Sequence, residues 1–336
     1  MRDSVSGLVV PGAVISAFDS AGHPGLRTIS DETGRFTLDV APGPARLRVI
    51  RLGFEPRSVA VPPTAQERAA GLEVRMLALP ALLTQVHVSD HAICPGNADR
   101  SGALGLWEQA RAGLLAAVVA RQSKPGNITA LEFVTDEDPG SHLVVRQTTH
   151  TTSGTTGRPF VAVREAGEFA RQGYMARDSG SLNFFAPDAD VLLDQKFAAT
   201  HCFSIVRDDA GHPNEVGLSF EPSPGGRPDG FVDVDGTLWL QSNHPALRTL
   251  DFGYTGLDPA YREAGTGGQL VFRTMPNGLV YIERWEMHLP AMAANAARGQ
   301  SLPGRAAGNV FPGSLRNVHV VQWRETGGEV LSAQWP

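Results

Sequence analysis

The chain has 336 residues, 35 acidic against 29 basic, for a net charge of −6. Only Lys124 and Lys196 are lysines; the remaining positive charge is scattered arginine, which offers no basic patch for a nucleic-acid backbone. No run of 18 apolar residues could form a membrane-spanning helix, and 37 glycines with 24 prolines point to many turns, as in antiparallel β proteins.

The opening "MRDSVSGLVV" enters a strand-like pattern directly, without the apolar h-region of a signal peptide, which leaves either a cytoplasmic protein or a mature form. Residues 1–80 then carry about seven short alternating runs punctuated by turn residues: "SVSGLVV", "AVISAF", "LRTIS", "RFTLDV", "ARLRVI", "RSVAV" and "GLEVRML". Phe36, Leu38 and Val40 share one face of their run, and Leu47 and Val49 share one face of theirs. This spacing predicts a small seven-stranded β-sandwich. Gly12-Ala13, Thr33-Gly34-Arg35-Phe36, Pro42-Gly43 and Gly53-Phe54-Glu55-Pro56 stand where the carboxypeptidase regulatory-like family has its hallmarks, and the segment resembles that prealbumin-like family. The resemblance implies an accessory module for packing or adhesion, without catalytic residues. Gly34 should supply a positive φ, and Phe36 should plug the core.

Residues 81–336 read as a larger α+β domain, so the whole chain is expected to be mainly β. "LLTQVHVSD" is a joining strand. "ALGLWEQARAGLLAAVVARQ" predicts an amphipathic helix over 103–122, with Leu106, Trp107, Ala110, Leu114 and Val118 on one face, Arg111 and Arg121 off it, and "KPGN" as its stop. It is expected to cover a sheet. "LEFV", "HLVVRQTTH" and "RPFVAVRE" are strands, "EAGEFARQG" is a short helix, and an Asp-capped turn leads into the Cys202 strand. From 216 to 336 a meander follows, with a hairpin expected at Asn277-Gly278 and another at Asp235-Gly236. In "LRTLDFGY", Leu250, Phe252 and Tyr254 should line one face, with Asp251 and Gly253 on the other. "GTLWLQSNHPALRTLDFGYTG" resembles a hairpin of lipoprotein-carrier-like half-barrel envelope proteins, which implies a curved sheet able to hold a lipid or a partner's chain. The stretch 291–314, rich in Ala, Gly, Asn and Pro, is expected to be a long loop, either disordered or used for contact. Its candidate contact residues are Arg298, Leu302, Arg305 and Phe311.

Reactive motifs are scarce. "GLSFE" lacks the final glycine of a nucleophile elbow, and HExxH, P-loop and dinucleotide fingerprints are missing. "GTGGQL" is followed by a strand pattern and so presents no helix N-terminus. The acidic groups "TDEDPG", "PDADVLLD" and "DVDG" read as turns or caps, with Asp188 and Asp190 the first choice for a metal. His201 sits beside Cys202, and strand alternation could align His288 with His319. Glu283 and Glu286, an odd number apart, should point to opposite faces. Cys94 and Cys202 leave three readings: two buried thiols, a disulfide tying the start of the second region to its middle, or metal or redox chemistry.

With no catalytic residues and no cofactor assigned, the expectation is a non-catalytic scaffold on the periplasmic or extracellular side of a membrane. It would dock on a protein partner as an extrinsic subunit of a larger, photosynthetic or respiratory, membrane complex. A carrier for a lipid or other apolar ligand is the alternative. A hydrolase assembled from distant strands, around His288 or Asp190, is the third.

Overall fold

The computed structural model describes residues 1–40, 45–79, 94, 101–123, 126–154, 166–178, 181–207, 209–224, 231–243, 246–257, 265–275, 277–294 and 318–334. Three layers account for most of it: a small sheet, one long helix and a large sheet.

The N-terminal part contains β1 (Arg2–Asp3), β2 (Val14–Asp19), β3 (Pro24–Ile29), β4 (Ala45–Ile50), β5 (Arg57–Ala60), the short helix α1 (Ala65–Ala69) and β6 (Arg75–Met76). The sheet order is β3-β2-β4-β5, all antiparallel, and β1 pairs in parallel with β6. Six strands are thus described where seven were expected, and β1 precedes the expected "SVSGLVV" run, which forms only an isolated bridge from Val9 to Arg2. Arg35–Val40 forms no ladder, although Phe36, Leu38 and Val40 still pack on the local core. The strand period survives there because it is set by side-chain burial, which a chain can satisfy without a hydrogen-bonded neighbour. Gly34 has the expected positive φ of 73°, and a Cβ there would lie 2.6 Å from Met1 O. Alternation in β2 gives the small sheet two apolar faces. Ile15 and Ala17 join Leu47, Val49 and Met76 in a core of their own, whereas Val14, Ile29, Ile50 and Leu52 belong to the main core.

Helix α2 (Ser101–Ser123) explains that second face. It lies between the two sheets, so Ala112 and Leu114 through Ala120 are all buried rather than only one stripe. The amphipathic expectation is corrected on this point: a helix packed on both sides is apolar nearly all round. Gly113 allows the closest approach, since a Cβ there would meet Leu247 at 2.9 Å and Leu52 at 3.3 Å, one from each sheet. Gln109 stitches the layers by accepting from Gly53 N (2.7 Å) and donating to Phe54 O (3.1 Å), and Arg48 pairs with Glu108 at 3.0 Å.

The large sheet is built from β7 (Asn127–Glu137), β8 (Val144–Gly154), β11 (His201–Val206), β12 (Glu215–Pro222), β13 (Asp233–Gln241), β14 (Ala246–Thr255), β15 (Gly267–Thr274), β16 (Val280–Ala294) and β17 (Val318–Gln334). Its order is β11-β12-β13-β14-β15-β16-β17-β7-β8, with antiparallel neighbours throughout. The meander therefore continues past its last strand onto β7 and β8. Helix α3 (Ala166–Gln172), the hairpin β9 (Met175–Asp178) and β10 (Ser181–Phe184), and helices α4 (Ala189–Leu192) and α5 (Gln195–Thr200) complete the fold. Asp194 caps α5 by accepting from Lys196 N at 2.7 Å.

Two glycine pairs, both expected to be hairpins, divide here. Asn277-Gly278 turns β15 into β16, and Gly278, at φ 80°, also touches the N-terminal part, where a Cβ on Gly12 would lie 2.7 Å from Gly278 O. Asp235-Gly236 is instead mid-strand in β13; a Cβ on Gly236 would meet Phe220 at 2.8 Å, so this glycine makes room for a ring. Finally, 291–314 is not all loop, because Ala291–Ala294 extend β16 and pair with β17. Arg298, Leu302, Arg305 and Phe311 lie outside the described residues, as do the expected strands at 82–90 and 158–165, Lys124 and Pro125 of the "KPGN" stop and the side chains of Arg121, Asp190 and His319.

Candidate functional site

Alternation gives the large sheet two unlike faces. The inner face carries Val216, Leu218, Leu238, Leu250, Phe252, Tyr254 and Leu270, all buried in the main core with α2. Leu250, Phe252 and Tyr254 share this face as expected. A carrier of apolar cargo would need this face, and protein side chains fill it.

The outer face is polar. Register places Asp235 opposite Gly253, then Gly267, His288, Glu325 and Thr135 in one cross-strand row. The next row runs Thr237, Asp251, Gln269, Glu286, Gly327 and Phe133. Over β12–β15 these rows form an open groove of about 690 Å³, walled by Asp209, His212, Glu221, Asp235, Trp239 and Asp251. Its floor is bare backbone at Gly253 and Gly267. A Cβ on Gly253 would stand 3.0 Å from Asp235 Oδ1, so that glycine leaves room for the carboxylate.

The groove's end wall is preorganised. Gly217 lets the Trp239 ring lie flat on β12, since a Cβ there would meet the ring at 2.8 Å. His212, from the β11–β12 turn, stacks on Trp239 with ring centroids 3.9 Å apart and planes within 8°. Trp239 Nε1 donates to Asp251 at 2.8 Å and Gln269 Nε2 donates to the same carboxylate at 2.7 Å. The imidazole spans two acids, with Nδ1 2.9 Å from Glu215 and Nε2 3.4 Å from Asp251. Asp251 is thus fixed by donors on β13 and β15, with the His212 ring beside it.

Further along the same face, Glu325 lies beside Glu286 and His288. Burial holds the Glu325 carboxyl above the usual glutamate range, and its hydrogen bond with Glu286 and the nearby Glu137 charge add to this. His288 stacks on Trp323 at 4.8 Å, and burial lowers its pKa, favouring the neutral ring. Arg284, opposite Glu329, is the next outward position of β16.

Several expected residues are placed elsewhere. His319 stands opposite Ala293, whereas His288 stands opposite Glu325, so register does not bring the two histidines together. A bulge between Val271 and Phe272 skips Glu283 in the pairing with β15, which resets alternation. The opposite-face argument for Glu283 and Glu286 therefore fails. Glu283 is committed instead to an ion pair with Arg273. Asp188 is buried and caps α4 by accepting from Val191 N at 3.2 Å. His201 is buried too: Nδ1 lies 3.1 Å from Phe197 O, and Nε2 lies 3.2 Å from Val234 O and 3.4 Å from Asp233. Asp138 closes a turn through Gly140 N and Ser141 N. No group of three or more acidic, His or Cys side chains among the described residues is arranged to hold a metal ion. Of the three readings for the cysteines, the structure has the disulfide, Cys94–Cys202, which ties β11 to residue 94.

Sequence reading missed Trp239, His212 and Glu325, and weighed Glu286 only as a partner for Glu283. The signal was the outward positions of consecutive strands, Asp235/Thr237/Trp239, Asp251/Gly253 and Gly267/Gln269, which together hold acid, glycine and one ring. No helix among the described residues is long and apolar enough to cross a membrane. No curated protein and no solved structure matches the chain. Residues 1–76 match the family model of the carboxypeptidase regulatory-like domain, a non-catalytic family, and this N-terminal stretch is such a domain.

Proposed function

We propose that the protein is a non-catalytic interaction subunit on the extracytoplasmic side of a membrane, which docks a cationic surface of a partner protein on the outer face of its large sheet. The observation that carries the reading is the asymmetry of that sheet: one face is filled by the main core, and the other presents Glu221, Asp235, Asp251, Glu286, Glu325 and Glu137 across six strands. An antiparallel sheet needs only one face buried to be stable, which leaves the second free for recognition. Acidic side chains spread over a broad face suit steering and register more than tight desolvated pairing. The preorganised Asp251–Trp239–His212 wall gives the surface a fixed anchor, and the regulatory-like domain with the disulfide fits an exported accessory protein.

The test is capture of stoichiometric companions from native membranes, by wild type and by the triple variant Glu221→Gln/Asp235→Asn/Glu286→Gln. Wild type should retain a partner whose binding weakens as salt rises, and the variant should lose most of it without a fall in melting temperature. Equal capture by both proteins, or turnover by the wild type in an ester, glycoside and peptide panel, would overturn the reading.

A further inference from the structure

The two edges of the nine-stranded sheet are managed differently. At one edge, β11 is six residues long, is tied to Cys94 by the disulfide and lies against α5 and α2. The other edge, β8, is eleven residues long, and every one of them is exposed. Its sequence, "VVRQTTHTTSG", contains no proline and no lysine, the residues that usually blunt such an edge. A register shift at Asp136/Glu137 leaves Val145 as an extra residue, but Arg146–Gly154 then pairs with β7 without interruption. Cross-strand contacts hold this stretch straight: His150 Nε2 lies 3.0 Å from Glu132, and the hydroxyls of Thr129 and Ser153 are 3.0 Å apart. The result is a long, regular, β-branched strand paired on one side among the described residues.

We propose that β8 pairs antiparallel with β8 of a second copy of this chain, about a two-fold axis through Thr149. The occupant follows from the strand's own sequence. A two-fold axis perpendicular to the sheet keeps each face on its own side only when it passes through a residue, because side chains alternate with period two. With Thr149 on the axis, Arg146 faces Thr152, Gln147 faces Thr151 and Thr148 faces His150. No like charges are opposed, and threonine pairs of this kind are favourable. Shifting the axis to His150 would set imidazole against imidazole. The contact is isologous and therefore closes at two copies rather than growing into a fibre. It also leaves the acidic outer faces of both copies on the same side of one continuous sheet. This inference stands apart from the docking proposal, and neither depends on the other.

Analytical ultracentrifugation of the full chain tests it, with Thr149→Lys placing two ammonium groups on the axis and Thr149→Val as the variant that keeps strand propensity. A wild-type dimer is expected, with Thr149→Val unchanged and Thr149→Lys weakening association by at least about tenfold. In oxidising conditions Thr149→Cys should cross-link to a covalent dimer much faster than Thr151→Cys, because only position 149 meets itself. A wild type that stays monomeric at every concentration reached, a dimer indifferent to Thr149→Lys, or equal cross-linking at 149 and 151 would overturn it. Capture of a different protein by a monomeric wild type, lost in Thr149→Lys, would also overturn it, since the edge would then serve a foreign strand.

Discussion

The two ends of the large sheet share one antiparallel ladder and live in different surroundings. From β11 to β15 the inner face is covered by α2 together with α5 and the β9–β10 hairpin, and most of its side chains are buried. At β17, β7 and β8 the ladder continues but the cover thins, until β8 has no buried residue at all. A ladder of backbone hydrogen bonds is therefore not what distinguishes a core from a surface in this molecule. Burial of alternate side chains does that, and it fades across the sheet from the covered end to the bare one. The covered end gives stability, and the bare end, together with the outer face, is what remains for recognition.

The most direct way to break this comparison is to remove the same group at both ends. Leu270 is fully buried in β15, whereas Leu331 in β17 is 57% exposed. Leu270→Ala should cost about 2–5 kcal/mol in urea unfolding, because it loses both transfer energy and packing. Leu331→Ala should cost less than about 0.5 kcal/mol. Comparable costs would show that the β17 end is covered in solution by something of its own.

Next in size is the disulfide, which secures the covered end. Cys94 and Cys202 are 108 residues apart, so the closed loop is long. Replacing both by serine should destabilise the chain by about 2–4 kcal/mol, chiefly through the freedom restored to the unfolded state. Its local signature sharpens the comparison. Amide exchange should rise at β11 and β12 and remain unchanged at β7 and β8. Uniform loosening of the sheet would mean that its two ends are one cooperative unit.

Much of this architecture was legible in the sequence, for reasons that can be stated residue by residue. Asn277-Gly278 marked a true turn because both neighbours alternate and the turn needs a positive φ. Leu250, Phe252 and Tyr254 announced the inner face because β14 has no bulge between them. Helix α2 was found within two residues at its start and one at its end, yet its all-round burial was not. That depends on a second sheet contributed by residues 14–60, and Gly113 and the alanines around it look neutral until both sheets are in place. Asp235-Gly236 was misread because a glycine needed for the neighbouring Phe220 ring looks, in sequence, like one needed for a turn. The Glu286–Glu325 pair could not be seen, since it joins strands across a long excursion and follows a bulge that resets the alternation.

That carboxyl pair gives the smallest effect and the one that locates the border between the ends. Glu325 has its folded pKa raised by burial first, then by Glu286 and Glu137. A raised acid holds its proton in the folded state after the unfolded chain has lost it. Its contribution to stability is therefore complete below the ordinary glutamate value and is lost as pH rises through the folded value. At neutral pH the wild type carries the repulsion of like charges there. Glu325→Gln, neutral at every pH, should melt about one to three degrees higher at pH 7. The gain should shrink on acidification and vanish once both carboxyls of the wild type are protonated. His288, with its pKa lowered by burial, acts in the opposite sense: its contribution is present above the ordinary imidazole value and is lost as pH falls. No gain in Glu325→Gln at any pH would place Glu325 in open solvent, and the bare end of the sheet would then begin at β17 rather than beyond it.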